Sequence, residues 1–260
     1  MRAFGTLIGL GLAALLLAAA PGHAADAPIG RVAAMSPVAL GTLPSGAAQP
    51  LAAGAGIFDA ERLTTEDAGR LHLELADRSV LDLAPNSELV IDKFVYDPSS
   101  GAGQIAGNLG QGLLRYIGGV VSKREDAVFT TPSATIAIRG SSMLVEVSPG
   151  GETRATFLGG VHMRVTAGGV TREVTRAGFF VSVPRRGAPP SAIRKASKAE
   201  IGRALGAVKR RPGEERATLR RPPLPAKGKS MPARKLRKRA PAKAPPVQER
   251  GRRPEEPTQP

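Results

Sequence analysis

Apolar and polar residues alternate with a period of two through the middle of the chain. Leu71, Leu73 and Leu75 are interleaved with His72 and Glu74, Ala76-Asp77-Arg78-Ser79 forms a turn, and Val80 to Leu83 resumes the extended pattern. Ala84-Pro85-Asn86-Ser87 marks the next turn and Leu89 to Tyr96 the next strand. Such alternation, interrupted by turns about every eight to twelve residues, predicts a sheet with one buried face. Upstream, between Ile29 and Phe58, Val32, Val38, Leu40, Leu43 and Leu51 are broken by Pro37, Pro44, Gly46 and Pro50, which predicts short extended pieces rather than a helix.

Downstream, Asp97 to Gly103 reads as a loop, Leu109 to Ile117 as a strand with glycine corners, and Lys123 to Asp126 as a charged turn. Thr131-Pro132-Ser133-Ala134 runs into a short strand ending at Ile138-Arg139, a tight corner at Gly140-Ser141, and a second strand from Met143 to Val147. Pro149-Gly150-Gly151, Gly159-Gly160, Gly168-Gly169 and Ala177-Gly178 then punctuate strands over Thr153 to Leu158, Val161 to Thr166, Val170 to Val174 and Phe179 to Val183. Connections this short cannot make parallel crossovers, so the sheets are mostly antiparallel. The predicted fold is all-β, an antiparallel β-sandwich or β-roll of many short strands, followed by a disordered tail.

The two ends of the chain are different material. Met1-Arg2-Ala3-Phe4, an apolar run from Leu7 to Ala20 and Pro21-Gly22-His23-Ala24 have the charged start, hydrophobic middle and small-residue end of a signal peptide over residues 1–24, cleaved before Ala25. The run is 14 residues, short of the roughly 20 that a spanning helix needs. The expected β domain covers residues 25–186 and the tail 187–260. That tail holds 21 of the 37 basic residues, 6 of the 22 acidic ones and 13 of the 23 prolines, so it carries the whole net charge of +15 while the rest of the chain sums to zero. Such a composition cannot bury enough apolar surface to offset its ordering entropy. One local exception is Ser197-Lys198-Ala199-Glu200-Ile201, a capping-box spacing followed by Leu205 and Val208 on one face, which predicts a three-turn helix that needs something to dock on.

Cysteine is absent, which excludes disulfides, Cys-based metal sites, thiol nucleophiles and a lipobox anchor. His72 and His162 alternate with apolar neighbours and read as solvent-facing strand residues. Glu74, Asp77 and Asp82 read as outward positions of a half-buried sheet. Gly101, Gly103 and Ala106 match a bare dinucleotide fingerprint but lack a following helix, and Gly228-Lys229-Ser230 lacks the leading glycine of a phosphate loop. Ser133, Ser141 and Ser142 have no nucleophile-elbow spacing. No catalytic set can be assembled, and no cofactor is expected. Arg139, ahead of a glycine corner, is the one ligand-binding candidate of the domain, since its guanidinium fork suits an anion unless an internal acid takes it. Lys209, Arg210, Arg211, Arg220, Arg221, Arg234, Lys235, Arg237, Lys238 and Arg239 form a polycation spaced by prolines. Such a tail binds polyanions by counterion release, and without aromatics it has no base-stacking platform.

The strand series with its punctuation resembles the FecR domain of bacterial envelope regulators. The resemblance rests on Leu63-Thr64-Thr65, the run from Asp77-Arg78-Ser79 through Ala84-Pro85-Asn86-Ser87 to Ile91, Gly112-Leu113-Leu114, Thr131-Pro132-Ser133-Ala134 with Ile138-Arg139-Gly140-Ser141, and the closing turns at Gly159-Gly160-Val161 and Ala177-Gly178. It covers about Gly30 to Pro184. Arg78 stands where the family usually shows Gly, and Ser141 where it shows Thr. A signal peptide stands in place of the family's cytoplasmic anti-sigma segment and membrane helix. The resemblance implies an exported β domain that acts as a sensing or binding module in the envelope; the departure in architecture speaks against direct control of a sigma factor, and the lack of a catalytic set against an enzyme. The expected location is the periplasm. There the tail meets an anionic envelope surface (lipid headgroup, lipopolysaccharide or cell wall), the β domain meets an envelope protein or ligand, and nucleic acid is not a partner. The alternative is a structural polyanion-binding envelope protein with no specific signalling role.

Overall fold

The computed structural model describes residues 27–36 and 39–209. The expected signal peptide and the chain from residue 210 onward lie outside the described residues. The strands run in chain order as β1 (Gly30–Met35), β2 (Ala39–Thr42), β3 (Gln49–Pro50), β4 (Gly56–Ile57), β5 (Arg62–Thr65) and β6 (Leu71–Leu75). They continue as β7 (Val80–Leu83), β8 (Glu88–Tyr96), β9 (Gly103–Ile117), β10 (Ala127–Thr130), β11 (Thr135–Arg139) and β12 (Ser142–Val147). The last are β13 (Thr153–Gly159), β14 (His162–Ala167), β15 (Val170–Val174), β16 (Phe179–Val183) and β17 (Arg194–Lys195), followed by one helix, α1 (Lys198–Val208). The all-β expectation holds.

Two sheets share one strand. The first runs β4-β1-β6-β7-β9-β12-β13-β16-β17 and the second β3-β2-β5-β8-β9-β10-β11-β14-β15. Among the described strands only β9 and β10 pair in parallel. The first part of β9 pairs with β8 and β10, and from Gly112 onward it pairs with β7 and β12. Gly112 makes the bend with φ of +92°, and a Cβ there would lie 2.4 Å from the Ser87 Cα. Only glycine passes so close at that angle. Ser87 Oγ accepts the Leu113 N–H at 3.0 Å, and Thr65 Oγ1 accepts the Ser87 N–H at 3.0 Å while donating to the Ala84 carbonyl at 2.6 Å, so the Ala84-Pro85-Asn86-Ser87 turn holds the bend. Both sheets face one core of Leu, Val and Ile, in which Tyr116, Phe129 and Phe157 are the largest fully buried side chains.

The segment β11-β12-β13-β14 is a single long hairpin folded across both sheets. Strands β11 and β14 pair in the second sheet and β12 and β13 in the first, so the hairpin turns a corner at Gly140 on one arm and at Gly160 on the other. The two corners stack, with φ of +109° and +127°.

Two expectations change. Strand β9 begins at Gly103 rather than Leu109; Ile105 and Leu109 do point inward, but Gly107, tucked against the Phe129 ring, hides the alternation. The tail expected from residue 187 does not begin there, because β17 and α1 extend the fold to Val208. Helix α1 packs Ala204 and Val208 on Ala84, Leu113 and Leu144, which face away from the main core. Its N-terminus carries the expected capping box, Ser197 Oγ accepting the Glu200 N–H at 3.1 Å and Glu200 accepting the Ser197 N–H at 2.7 Å. At the other end Arg70 Nε donates to the Ala207 carbonyl at 2.7 Å. Neighbouring apolar surface, not helix propensity, decides that a helix this short persists.

The stacked corners generate a test with an internal control. In Gly140→Ala the new methyl sits 2.6 Å from Gly160 Cα and 2.8 Å from Val161 N, whereas at Gly169, also at positive φ, nothing lies within 4 Å. Urea denaturation is expected to show a loss of about 1 kcal/mol for Gly169→Ala and about 3 kcal/mol or more for Gly140→Ala. Equal losses would mean that the corners do not bear on each other.

Candidate functional site

The Arg139 corner is an ion-pair cluster. Arg139 Nε lies 3.3 Å from Asp126 Oδ1 and its Nη2 3.8 Å from Glu125. His162, opposite Arg139 in the ladder, places Nε2 3.2 Å from the same Asp126 oxygen, and Arg164 places Nη1 3.2 Å from Asp126 Oδ2. Arg164 Nε also donates to Glu173 at 2.7 Å. Arg139 thus faces acids of its own chain, and an anion there has to compete with Asp126.

The Asp77-Arg78-Ser79 turn is a sealed polar knot. Asp77, Ser79 and Tyr116 are all fully buried. Asp77 accepts the Ser79 N–H at 2.9 Å, the Ser79 hydroxyl at 2.9 Å and the Val121 N–H at 3.1 Å. The Ser79 hydroxyl in turn accepts the Gly119 N–H at 2.9 Å and lies 3.2 Å from the Tyr116 hydroxyl. Burial is the main cause that pushes the Tyr116 hydroxyl up to about 12. Each of these contacts is internal, so the motif holds the fold and offers nothing to a ligand. The Thr131-Pro132-Ser133-Ala134 motif behaves alike: Thr131 Oγ1 accepts the Ala134 N–H at 3.0 Å, and Ser133 donates to Thr153 Oγ1 at 2.7 Å. Gly101 and Gly103 form the turn into β9, with no helix behind it.

A row of charges crosses the outer face of the first sheet. Arg31 and Glu74 pair at 2.5 Å across β1 and β6. Beside them His72 Nδ1 bonds Asp82 Oδ1, and Arg115 Nη1 reaches Asp82 Oδ2 at 3.2 Å, the three residues standing opposite one another on β6, β7 and β9. His72 and His162 therefore each meet a carboxylate, and among the described residues neither bonds a Ser or Thr hydroxyl. A cavity of about 210 Å³ opens between this row and the end of α1, lined by Arg70, His72, Asp82, Arg115, Val208 and Lys209 among others. A second cavity, of about 300 Å³, lies along α1 between Glu146, Arg154, Glu200 and Arg203. There Arg154 reaches Glu200 at 3.0 Å and Glu146 at 3.9 Å. Burial raises the Glu146 carboxyl above its ordinary range, with Arg154 and Arg203 pulling the other way.

Among the described residues no three His, Asp or Glu side chains gather to hold a metal, and no helix is long and apolar enough to cross a membrane. Of the polycation named from the sequence, Lys209 is at the cavity rim; Arg210, Arg211, Arg220, Arg221, Arg234, Lys235, Arg237, Lys238 and Arg239 lie outside the described residues. Sequence reasoning missed the cavity because it joins four strands and a helix end. The one legible hint was Leu113-Leu114 and Met143-Leu144-Val145, consecutive apolar residues that need cover on both sheet faces.

Residues 61–171 match the family described as FecR protein, a span that runs from the residue before β5 into β15. Two crystal structures of a candidate anti-sigma factor from Parabacteroides distasonis are similar to this chain at 10% identity, with TM-scores of 0.45 and 0.43. Each comparison covers 55% of this chain and, respectively, 63% and 64% of the other, so the chain spans less than two thirds of those proteins. No curated protein sequence matches it.

Arg78 is exposed with φ of +70°, a strain of about 1–2 kcal/mol that glycine avoids at a chain-entropy cost of about 0.5–1 kcal/mol. Arg78→Gly should therefore gain about 0.5–1 kcal/mol in thermal or urea unfolding, and a loss would show that the arginine side chain contributes contacts of its own. The raised Glu146 has the opposite sign to a paired carboxylate: its protonated form is favoured in the fold, so its contribution to stability falls as pH rises from the unfolded value through the folded one. Glu146→Gln is expected to raise the unfolding midpoint at pH 7 and to leave it unchanged below about pH 4; a midpoint shifted equally at both would disprove the titration.

Proposed function

Residues 61–171 of this chain are a FecR domain, and on that premise we propose that the protein is a non-enzymatic sensing or binding module of the bacterial envelope. The single observation that carries the proposal is the family match. The geometry supports it, because the motif residues Asp77, Ser79, Thr131, Ser133 and Gly140 all hold turns and corners.

The place of action follows from the chain ends. The signal-like residues 1–24 direct the protein to the periplasm, and residues 210–260, with 16 basic and 5 acidic side chains, hold it near an anionic surface by charge. Helix α1, which packs on the first sheet, ends two residues before that segment begins in the sequence. The segment's excess charge also favours a second reading, in which polyanion binding is the whole function and the β domain supplies bulk.

Fractionation of a bacterium expressing the full chain and a chain ending at residue 209 tests this. The full chain should appear in the periplasm, sediment with envelopes at about 50 mM salt and be released at about 200 mM, while the shortened chain stays soluble at both. Cytosolic full-length protein would sink the proposal. Restoration of a regulatory output by the shortened chain would eliminate the second reading.

A further inference from the structure

Helix α1 carries two residues that weaken it without serving its packing. Gly202 and Gly206 stand in its interior on the exposed side, and a Cβ added to either would meet nothing within 4 Å. Neither has a positive φ. Alanine would fit at both, and at each it would favour the helix about fivefold. With 11 residues the helix is also shorter than the roughly 12–15 below which an isolated helix is marginal in water. Its persistence therefore depends on docking. We propose that α1 is a releasable cover on a helix-docking face of the first sheet, and that an amphipathic helix of a partner protein takes this face when α1 leaves. That a partner protein exists rests on the binding module proposed above; the face does not.

The face beneath α1 is apolar and separate from the main core. Ala84, Leu113 and Leu144 form a cluster with Ala204 and Val208 that is distinct from the core between the sheets, and Leu158 packs at its margin. These side chains come from the residue after β7, from β9 and from β12. Departure of α1 would bare them to water together, and a contiguous apolar patch of that kind drives association. The helix closes the patch with small side chains and polar ties at its ends. Arg154 reaches Glu200 at 3.0 Å in the first turn, and Arg70 Nε donates to the Ala207 carbonyl at 2.7 Å in the last. The Arg154 and Glu200 side chains are 26% and 38% exposed, so water competes for the pair and it holds the helix only weakly.

The docked helix itself shows what the face accepts. Glu200, Ala204 and Val208 recur every four residues, which places them on one side of α1. They supply an acid for Arg154 and then two small apolar residues for the patch. A competing helix needs the same order, a carboxylate one turn ahead of apolar residues at the next two turns. It also has space to gain. The cavity of about 300 Å³ beside α1 is lined by Ala204 and Ala207 on the helix and by Leu113 on the sheet. Longer apolar side chains at those helix positions would fill room that α1 leaves empty, and the added contacts favour exchange of one helix for the other.

The test uses the ¹⁵N-labelled full chain and a fluorescein-labelled peptide of residues 196–209 as the probe. In hydrogen exchange the α1 amides should be protected at least about 100-fold less than those of β10 and β11. Gly202→Ala with Gly206→Ala should raise α1 protection about 25-fold and leave β10 and β11 unchanged. The peptide should bind the full chain saturably, about 25-fold more weakly to the chain with both glycines replaced, and at least about tenfold more tightly to Ala204→Glu, whose own helix is undocked. The exposed glycine pair keeps the test valid if Ala204→Glu disturbs the sheet. Equal protection of α1 and the two strands overturns the release. A peptide that binds all three chains alike, or that does not bind a folded Ala204→Glu chain, overturns the docking face. The assay involves neither an envelope nor residues 210–260, so its failure removes this face and leaves the function proposed above in place.

Discussion

Strand β9 belongs to both sheets, and the rest of the domain is arranged around the bend that allows it. Four strands, β7, β8, β10 and β12, take their register from it. A bent strand leaves the backbone groups near the bend in search of partners, and unpaired buried groups are costly. Ser87 bonds the amide just past Gly112. At the far end Tyr116 sits between the Phe129 ring, 5.0 Å away, and the Asp77-Ser79 knot, which also fixes the chain at Gly119 and Val121. The sequence features that mark the family are thus the parts that let one strand serve two sheets.

Much of this was legible from the residues. Leucines at every second position declared β6, and the turn residues after it declared where β7 and β8 begin. What stayed hidden depended on neighbours far along the chain. Gly103 to Asn108 looks like loop because its glycines stand where Val95 and Phe129 crowd the backbone. The parallel pairing of β9 with β10 follows from a three-residue 3₁₀ turn, Val121–Lys123, that no periodicity announces. For α1 the capping box was visible, while the apolar patch that holds it is made of residues from three parts of the chain.

The site was less legible than the fold for the same reason. Arg139 could be singled out by its place before a glycine, but the acids that engage it enter from the turn before β10 and the histidine beside it from β14. His72, Asp82 and Arg115 are unremarkable outward residues when read along the chain. Only the register of three strands makes them a row, and only the docked helix makes the row a wall of a cavity. Arg78 is the instructive exception, since a departure from the family's glycine was readable and the positive φ explains why glycine is the usual choice.

The folded hairpin with its stacked corners also governs where this chain can be lengthened. The tips at Gly150 and Gly169 open to solvent, with nothing nearer than 3.8 Å to an added Cβ at the first and nothing within 4 Å at the second. At Gly140 and Gly160 each arm is pressed against the backbone of the other. Fluorophores, affinity tags and fused reporters therefore belong at the tips, because one residue inserted at either corner would part both sheets together.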